Sequence, residues 1–252
     1  EGARSGSLIR FLNAVAEALE PEFPEVTFDT LAYQYSTQPP KLTHPRHNVA
    51  IRMCTGGCSS HPIPDCANNA GSADAIRGWS QICRQLYIWD YTTDFAQYLN
   101  PYPNFQTLQD NIRFFRDHNV CGVFEQGNYN EGLSGEFGEL RAYLLANLLW
   151  NPEFDVESGT ESFLNAYYGG GAPYVRQYLT FIRDKVRDVH FNLVISAAAL
   201  WNDLISDEEL TMLDRLWADA YRAAREGGDV PDGISSALCA AGASAATALC
   251  AA

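Results

Sequence analysis

The stretch QLYIWDYTTDFAQYLNPYPNFQTLQDNIRFFRDHNVCGVFEQGNY, residues 85–129, decides how this chain folds. It opens on an apolar run, Leu86-Tyr87-Ile88-Trp89, that stops at Asp90 and Tyr91. A second run of the same design, Val120-Cys121-Gly122-Val123-Phe124, stops at Glu125. Continuous apolar runs of this length read as strands buried on both faces, as a parallel sheet requires. Between them lie an Asn-Pro-Tyr-Pro-Asn turn and the residues Leu108, Ile112 and Phe115, spaced as one face of a helix. The stretch is therefore a β-loop-α-β unit with a carboxylate at the C-terminal end of each strand. In a (β/α) barrel those strand ends build the active site. Asp90 and Glu125 are accordingly the candidate catalytic acids, expected on neighbouring strands and facing one cleft.

Working outward, residues 8–20 predict a helix with Leu8, Leu12, Val15 and Leu19 on one face, Ser5 or Ser7 as its cap, and Pro21 and Pro24 ending it. Residues 26–33 and 48–54 predict two more strands, and residues 73–84 a helix. Downstream the pattern is helical only: residues 135–150, 161–168 and 172–189, a turn near Trp201, then residues 207–225. Gly169-Gly170-Gly171 is a breaker between helices, and Asp207-Glu208-Glu209 suits the positive end of the last helix dipole. Four parallel strands with helices make an α/β fold, half of a closed (β/α)8 TIM-type barrel followed by a helical region. An open four-stranded parallel sheet is the alternative. The helix-first start reads as a chain entered midway, a fragment. The expected domains are residues 1–150 as the half-barrel, 151–231 as the helical region and 232–252 as an Ala-rich low-complexity tail.

Composition narrows the function classes. A chain of 252 residues, 46% hydrophobic, can bury the core of one large domain or two small ones. A formal charge of −14 disfavours a nucleic-acid partner. No apolar run approaches the roughly 20 residues of a membrane span, and no signal-peptide pattern is present. Seven cysteines is an odd count, and Cys54, Cys58 and Cys66 cluster, which leans toward an oxidising compartment. The pattern Cys54-x3-Cys58-x2-His61-x4-Cys66 invites a zinc reading, but its spacing is not that of a common ribbon or finger. A disulfide within this loop is the first expectation, free thiols the second and zinc the third, so no metal ligand is assigned. No Gly-rich phosphate loop follows a strand and no G-x-S-x-G elbow is present. No cofactor is expected.

Tyr33, Tyr35, Trp89, Tyr91 and Tyr129 stand at or near strand ends and offer flat apolar faces with polar edges, which suits a pyranose ring. Each alone is more readily a core residue, and it is their recurrence at several strand ends that points to a sugar. Gln126 and Asn128 are candidate hydroxyl-binding amides. Arg52 is a candidate for an acidic sugar, or else a structural ion pair. The bland reading of the acids is that Asp90 caps a turn and Glu125 is structural.

The strings TLAYQYSTQPP, LYIWDYTTDFAQYLNPYPN, NIRFFRDHNVCGVFEQGNY and GEFGELRAYLLANLLWNPEFDV resemble a glycoside-hydrolase-like domain of unknown function, the 4838 family. That family is found in secreted bacterial carbohydrate-degrading proteins and is similar to hexosaminidases and α-glucuronidases. The resemblance covers about residues 5–178 and implies a TIM-type barrel, of which this chain is similar to the C-terminal half. It also implies glycosidic hydrolysis, with the ionised carboxylate in this half and the proton donor in a preceding half. The implied partners are a carbohydrate substrate and the missing N-terminal half of the barrel, and the implied location is secreted or periplasmic. The family usually carries an acid between its paired cysteines, where this sequence has Gly56-Gly57. Two rival functions stand beside hydrolysis: a non-catalytic carbohydrate-binding module, and a structural domain that self-associates through open sheet edges.

Overall fold

The computed structural model describes residues 1–129, 135–192 and 201–226. In chain order these form α1 (Ser5–Leu19), β1 (Phe28–Ala32), β2 (Val49–Cys54), α2 (Ala70–Ile82), β3 (Leu86–Tyr91), α3 (Leu108–Asp117) and β4 (Val120–Gln126). Then follow α4 (Gly138–Trp150), α5 (Val156–Tyr168), α6 (Ala172–Lys185), the short α7 (Trp201–Leu204) and α8 (Asp207–Glu226). The four strands form one parallel sheet in the order β1-β2-β3-β4, each paired with its sequence neighbour. The expected mixed α/β class, parallel sheet and trailing helices are all present. The Ala-rich tail lies outside the described residues.

Successive residues of a strand point to opposite faces, and here the two faces differ sharply. Ile51, Met53, Leu86 and Ile88 are fully buried and share one core with Ile9 of α1, Ile76 and Trp79 of α2, and Ile112 and Phe115 of α3. Leu31, Arg52, Tyr87, Trp89 and Phe124 occupy the other face, where Leu31 is 40% and Phe124 47% exposed. The sheet is thus covered by helices on one side and carries a half-open second face. Gly122 is required there, because a Cβ would strike the ring of Tyr87 on the neighbouring strand. The register slips by one residue between Leu86 and Tyr87, which leaves Cys121 as the extra residue of β4.

Element boundaries differ from the sequence expectations for local reasons. β1 starts at Phe28, since the Val26 amide closes a turn on Phe23 O at 3.1 Å. It ends at Ala32, since the Tyr33 amide turns to Ser36 Oγ at 3.1 Å. Ser5 does not cap α1: it is the first helical residue and its hydroxyl donates to Gln38 O at 2.5 Å. α5 starts five residues before the apolar spacing suggests, because Asp155 caps it, Oδ1 accepting from the Ser158 amide at 3.1 Å. α6 stops at Lys185, and the three glycines form a single 3₁₀ turn between α5 and α6, with Gly169 at φ +51°.

The hydrophobic core is continuous from the sheet into the trailing helices, where Leu148, Leu164, Val175, Tyr178, Trp217 and Ala220 are buried together. One ion pair inside it joins the two regions. The Arg141 guanidinium on α4, its side chain 5% exposed, reaches Glu136 Oε2 at 2.9 Å. It also donates to Glu136 O at 2.7 Å, Asn104 Oδ1 at 2.9 Å and Tyr102 O at 3.2 Å, and lies over the Phe105 ring. Removing one partner of a buried pair strands the other charge, which costs about 3–5 kcal/mol. Arg141→Met is therefore expected to lower unfolding stability in urea by that amount. Adding Glu136→Gln to it should recover part of the loss; a double variant no more stable than the single would show that the stranded carboxylate is not what costs.

Candidate functional site at the strand ends

Asp90 and Glu125 stand opposite each other in the β3–β4 register, at the C-terminal ends of their strands. Their alternation puts both on the helix-covered face, with Ile88 and Val123 below them. The two acids share a face of the sheet, but the expected common cleft is not found, since Asp90 lines a recess there and Glu125 does not. Thr55, the residue just past β2, donates its hydroxyl to Asp90 Oδ1. Asp90 opens onto a recess among the loops after β2 and β3, lined by Thr55, Gly57, Ser59, Tyr102 and Asn104 and enclosing about 400 Å³ with its open mouth. Glu125 is not part of that lining and stands on β4 beside Asp90. Its Oε2 is buried and has no hydrogen-bond partner.

The electrostatics follow from this placement. Burial raises the Asp90 carboxyl above its usual range, while the Thr55 hydroxyl and the Tyr91 amide pull it back. Burial raises Glu125 well above the ordinary glutamate range, and the neighbouring charge of Asp90 raises it further. Two close buried carboxyl groups cannot both ionise cheaply. The proton of the pair is therefore favoured on Glu125, beside an Asp90 whose anion the Thr55 hydroxyl stabilises.

The residues expected to bind sugar are not in this recess but chiefly on the opposite face of the sheet. Trp89 stacks edge-on against Phe124, with ring centroids 4.9 Å apart, and its Nε1 donates to Gln126 Oε1 at 2.7 Å. Arg52 makes the structural alternative, an ion pair with Asp29 at 2.5 Å on that face. Tyr91 alone belongs to both regions. It lines the recess and meets the Cys54 thiol, and burial pushes its phenol up. From Tyr91 a row of edge-to-face rings continues through Phe95 and Tyr98 to Tyr129, at 5.8, 6.1 and 5.8 Å between centroids. Tyr129 is 85% exposed at its end. Tyr33 and Tyr35 lie apart, beyond β1, and Tyr35 is 61% exposed in a turn. Asn128 sits half-buried just after β4.

The cysteine loop departs most from expectation. Cys54, Cys58 and Cys66 are all free thiols, so the expected disulfide is not formed. Cys54 leaves the cluster altogether, because as a β2 residue it points to the open face and to Tyr91. Asn69, fully buried, organises the rest. Its Oδ1 accepts from the Cys58 amide at 2.7 Å, and its Nδ2 donates to the carbonyls of Cys58 at 2.9 Å and His61 at 3.2 Å. Gly57, at φ +107°, has no room for a Cβ against that Asn69 side chain. His190 joins Cys58, His61 and Cys66 from 124 residues beyond Cys66. Burial opposes ionisation of the Cys58 thiol, but its polar contacts with Ser60, His61 and His190 outweigh it and bring it down to about 6.

Sequence reasoning missed Thr55, Phe124, Asn69 and His190 as members of these sites. Thr55 had a readable signal, a hydroxyl one position past a strand end. Phe124 had another, standing two residues before Gln126 on the same face. His190 had none.

Glu125→Gln tests the buried pair. A carboxyl whose folded pKa is raised contributes full stability below its unfolded value of about 4.3 and loses it as pH rises through the folded value. The parent should therefore be destabilised progressively, relative to the variant, as pH rises from about 4.3 toward the raised folded value. A gain of roughly 1–3 kcal/mol for Glu125→Gln at alkaline pH is expected, because the amide removes a charge that burial penalises, and it should vanish toward acid pH. Parallel pH profiles for the two proteins in urea titrations would rule out a perturbed carboxyl here.

Comparison with known proteins bears on the family alone. No curated protein and no solved structure matches the chain. Residues 1–180 match the family model described as "Domain of unknown function (DUF4838)", and the chain belongs to that family.

Proposed function

We propose that this chain is the C-terminal half of a (β/α)8-type barrel in a carbohydrate-active, glycoside-hydrolase-like protein. The observation that carries this reading is the in-register pair Asp90 and Glu125, half-buried at the C-terminal ends of adjacent parallel strands with both carboxyl groups raised above their usual range. Glycosidic cleavage uses one protonated and one ionised carboxyl group; Asp90 would be the ionised one, with the proton donor supplied by the preceding half of the barrel. Asp90 meets the recess and is the group that would act on a substrate; Glu125 sets its proton content. The sequential strand order with helices on one side supports the barrel, since a closing second half would cover the open face. In that barrel Trp89 and Gln126 stand on the lumen side and Asp90 and Glu125 on the helix side, so Asp90 acts through the recess among the loops above the strands. The aromatic residues Trp89, Phe124 and Tyr91 on the open face, with Gln126, support sugar recognition.

One observation favours the second reading, sugar binding without turnover. Trp89 and Gln126 lie across the sheet from the acids, so a sugar stacked on Trp89 does not touch Asp90. The two readings separate in one experiment on protein carrying the upstream barrel units. Trp89→Ala should weaken oligosaccharide binding about tenfold or more, roughly 1.4 kcal/mol, in either case. Asp90→Asn should leave binding intact and cut turnover about 10²–10⁴-fold, the usual contribution of acid–base catalysis. Unchanged turnover in Asp90→Asn removes the catalytic reading and leaves the binding one. Failure of any glycan to bind, with self-association of this chain in sedimentation, would point instead to a structural domain pairing through the β1 or β4 edge.

A further inference from the structure

We infer that Cys58, His61, Cys66 and His190 form a four-ligand zinc site that clamps the loop after β2 to the segment after α6. The four ligand atoms, two sulfurs and two ring nitrogens, all lie within 4.8 Å of one another. Cys58 Sγ is 3.2 Å from His61 Nδ1, and Cys66 Sγ is 3.4 Å from His190 Nδ1. A tetrahedral ion with Zn–S bonds of about 2.3 Å and Zn–N bonds of about 2.05 Å sets sulfur–nitrogen edges near 3.5 Å. Both contacts are close to that value. His190 is exposed and Cys58 and Cys66 are buried, so the outer ligand closes on an inner trio held in place by Asn69.

The surroundings of His61 give an independent reason. Its Nε2 lies 2.8 Å from the carbonyl of Arg187. A carbonyl can only accept, so Nε2 carries the proton, and the neutral ring then presents the Nδ1 lone pair toward the two cysteines. Ser60 Oγ is also 3.2 Å from Nδ1, but its single proton goes to Val189 O at 2.6 Å, and the same oxygen accepts from the Phe191 amide at 3.1 Å. A ring nitrogen oriented by a backbone carbonyl on its far side, facing soft thiol ligands, is the outer-shell arrangement of metal-bound histidine. Two sulfurs and two nitrogens in a tetrahedron favour zinc over the hard oxygen-seeking ions.

Four protein ligands leave no open position, so the site is structural. Its clamp is visible in the backbone. Cys58 bridges to Asn192, and the Ser59 amide donates to Phe191 O at 2.7 Å. Zinc would convert these few hydrogen bonds into a cross-link between residues far apart in the chain. This inference stands independently of the proposed carbohydrate function.

The test is metal analysis of the full chain purified without chelator from zinc-supplemented cells under reducing conditions. One zinc per chain is expected, with cobalt substitution giving the intense visible bands of a tetrahedral site and a thiolate charge-transfer band. His190→Ala and Cys66→Ser should each reduce zinc retention at least tenfold. His190→Cys should retain the metal with a shifted cobalt spectrum, which separates loss of a ligand from loss of the fold. Cys121→Ser, outside the cluster, should behave as the parent. Zinc no higher in the parent than in Cys66→Ser, an octahedral cobalt spectrum, or a Cys58–Cys66 disulfide in the folded protein would each overturn the assignment.

Discussion

The buried guanidinium of Arg141 holds the sheet and the trailing helices in one arrangement. The loop after β3 is irregular, and its buried polar groups draw donors both from the loop itself and from other elements. Arg141 supplies Tyr102 O and Asn104 Oδ1 from one planar group, with Glu136 as the compensating charge. Arginine suits this position because it offers several donors in a rigid fork and does not give up its charge. Trp201 supplies the next carbonyl, its Nε1 donating to Pro101 O at 2.9 Å. The Tyr102 hydroxyl meets Ser59 Oγ at 2.6 Å, and Phe191 bridges the rings of Tyr102 and Trp201. Residues 101–104 are therefore the junction at which the loop after β2, the helix α4 and the segments around Phe191 and Trp201 converge.

Much of the fold was legible because the decisive patterns are local. Two apolar runs separated by a turn and a helix-period stretch specify β3, α3 and β4 without any tertiary information. Boundaries were less legible where a side chain competes with the apolar pattern. Asp155 is the clearest case: the cap signal stands in the sequence as an acid three residues before Ser158, yet the first strongly apolar spacing of α5 comes later. Ser5 shows the reverse, a residue with cap chemistry whose hydroxyl is taken by Gln38 O across the fold.

The candidate site was legible in its residues and not in its division. Trp89, Asp90 and Tyr91 are consecutive, and the period of two along a strand must send Asp90 to one face and its neighbours to the other. Continuous apolar runs hide that alternation, since in a parallel sheet both faces are apolar. The burial of Ile88 and the exposure of Phe124 settle which face is which. The cysteine cluster illustrates a different limit. Cys54 and Cys58 are four apart, yet the end of β2 turns one to Tyr91 and the other to His61. His190 enters only because α6 ends at Lys185 and returns the chain to the loop after β2.

That loop is where the two sites become mechanically dependent. Thr55 fixes the Asp90 carboxylate, Gly57 makes the left-handed turn against Asn69, Ser59 ties to Tyr102, and Ser60 and His61 tie to Val189 and Arg187. These contacts fall within seven consecutive residues, so the loop has few independent ways to move. Loss of order at the Cys58 end would release Ser59 from Tyr102 and draw Thr55 away from Asp90. Without the Thr55 hydroxyl only the Tyr91 amide opposes burial, and the balance on Asp90 moves toward its protonated form. The proton content of the acid pair is thus set partly by how firmly a loop some distance away is anchored to the segment after α6.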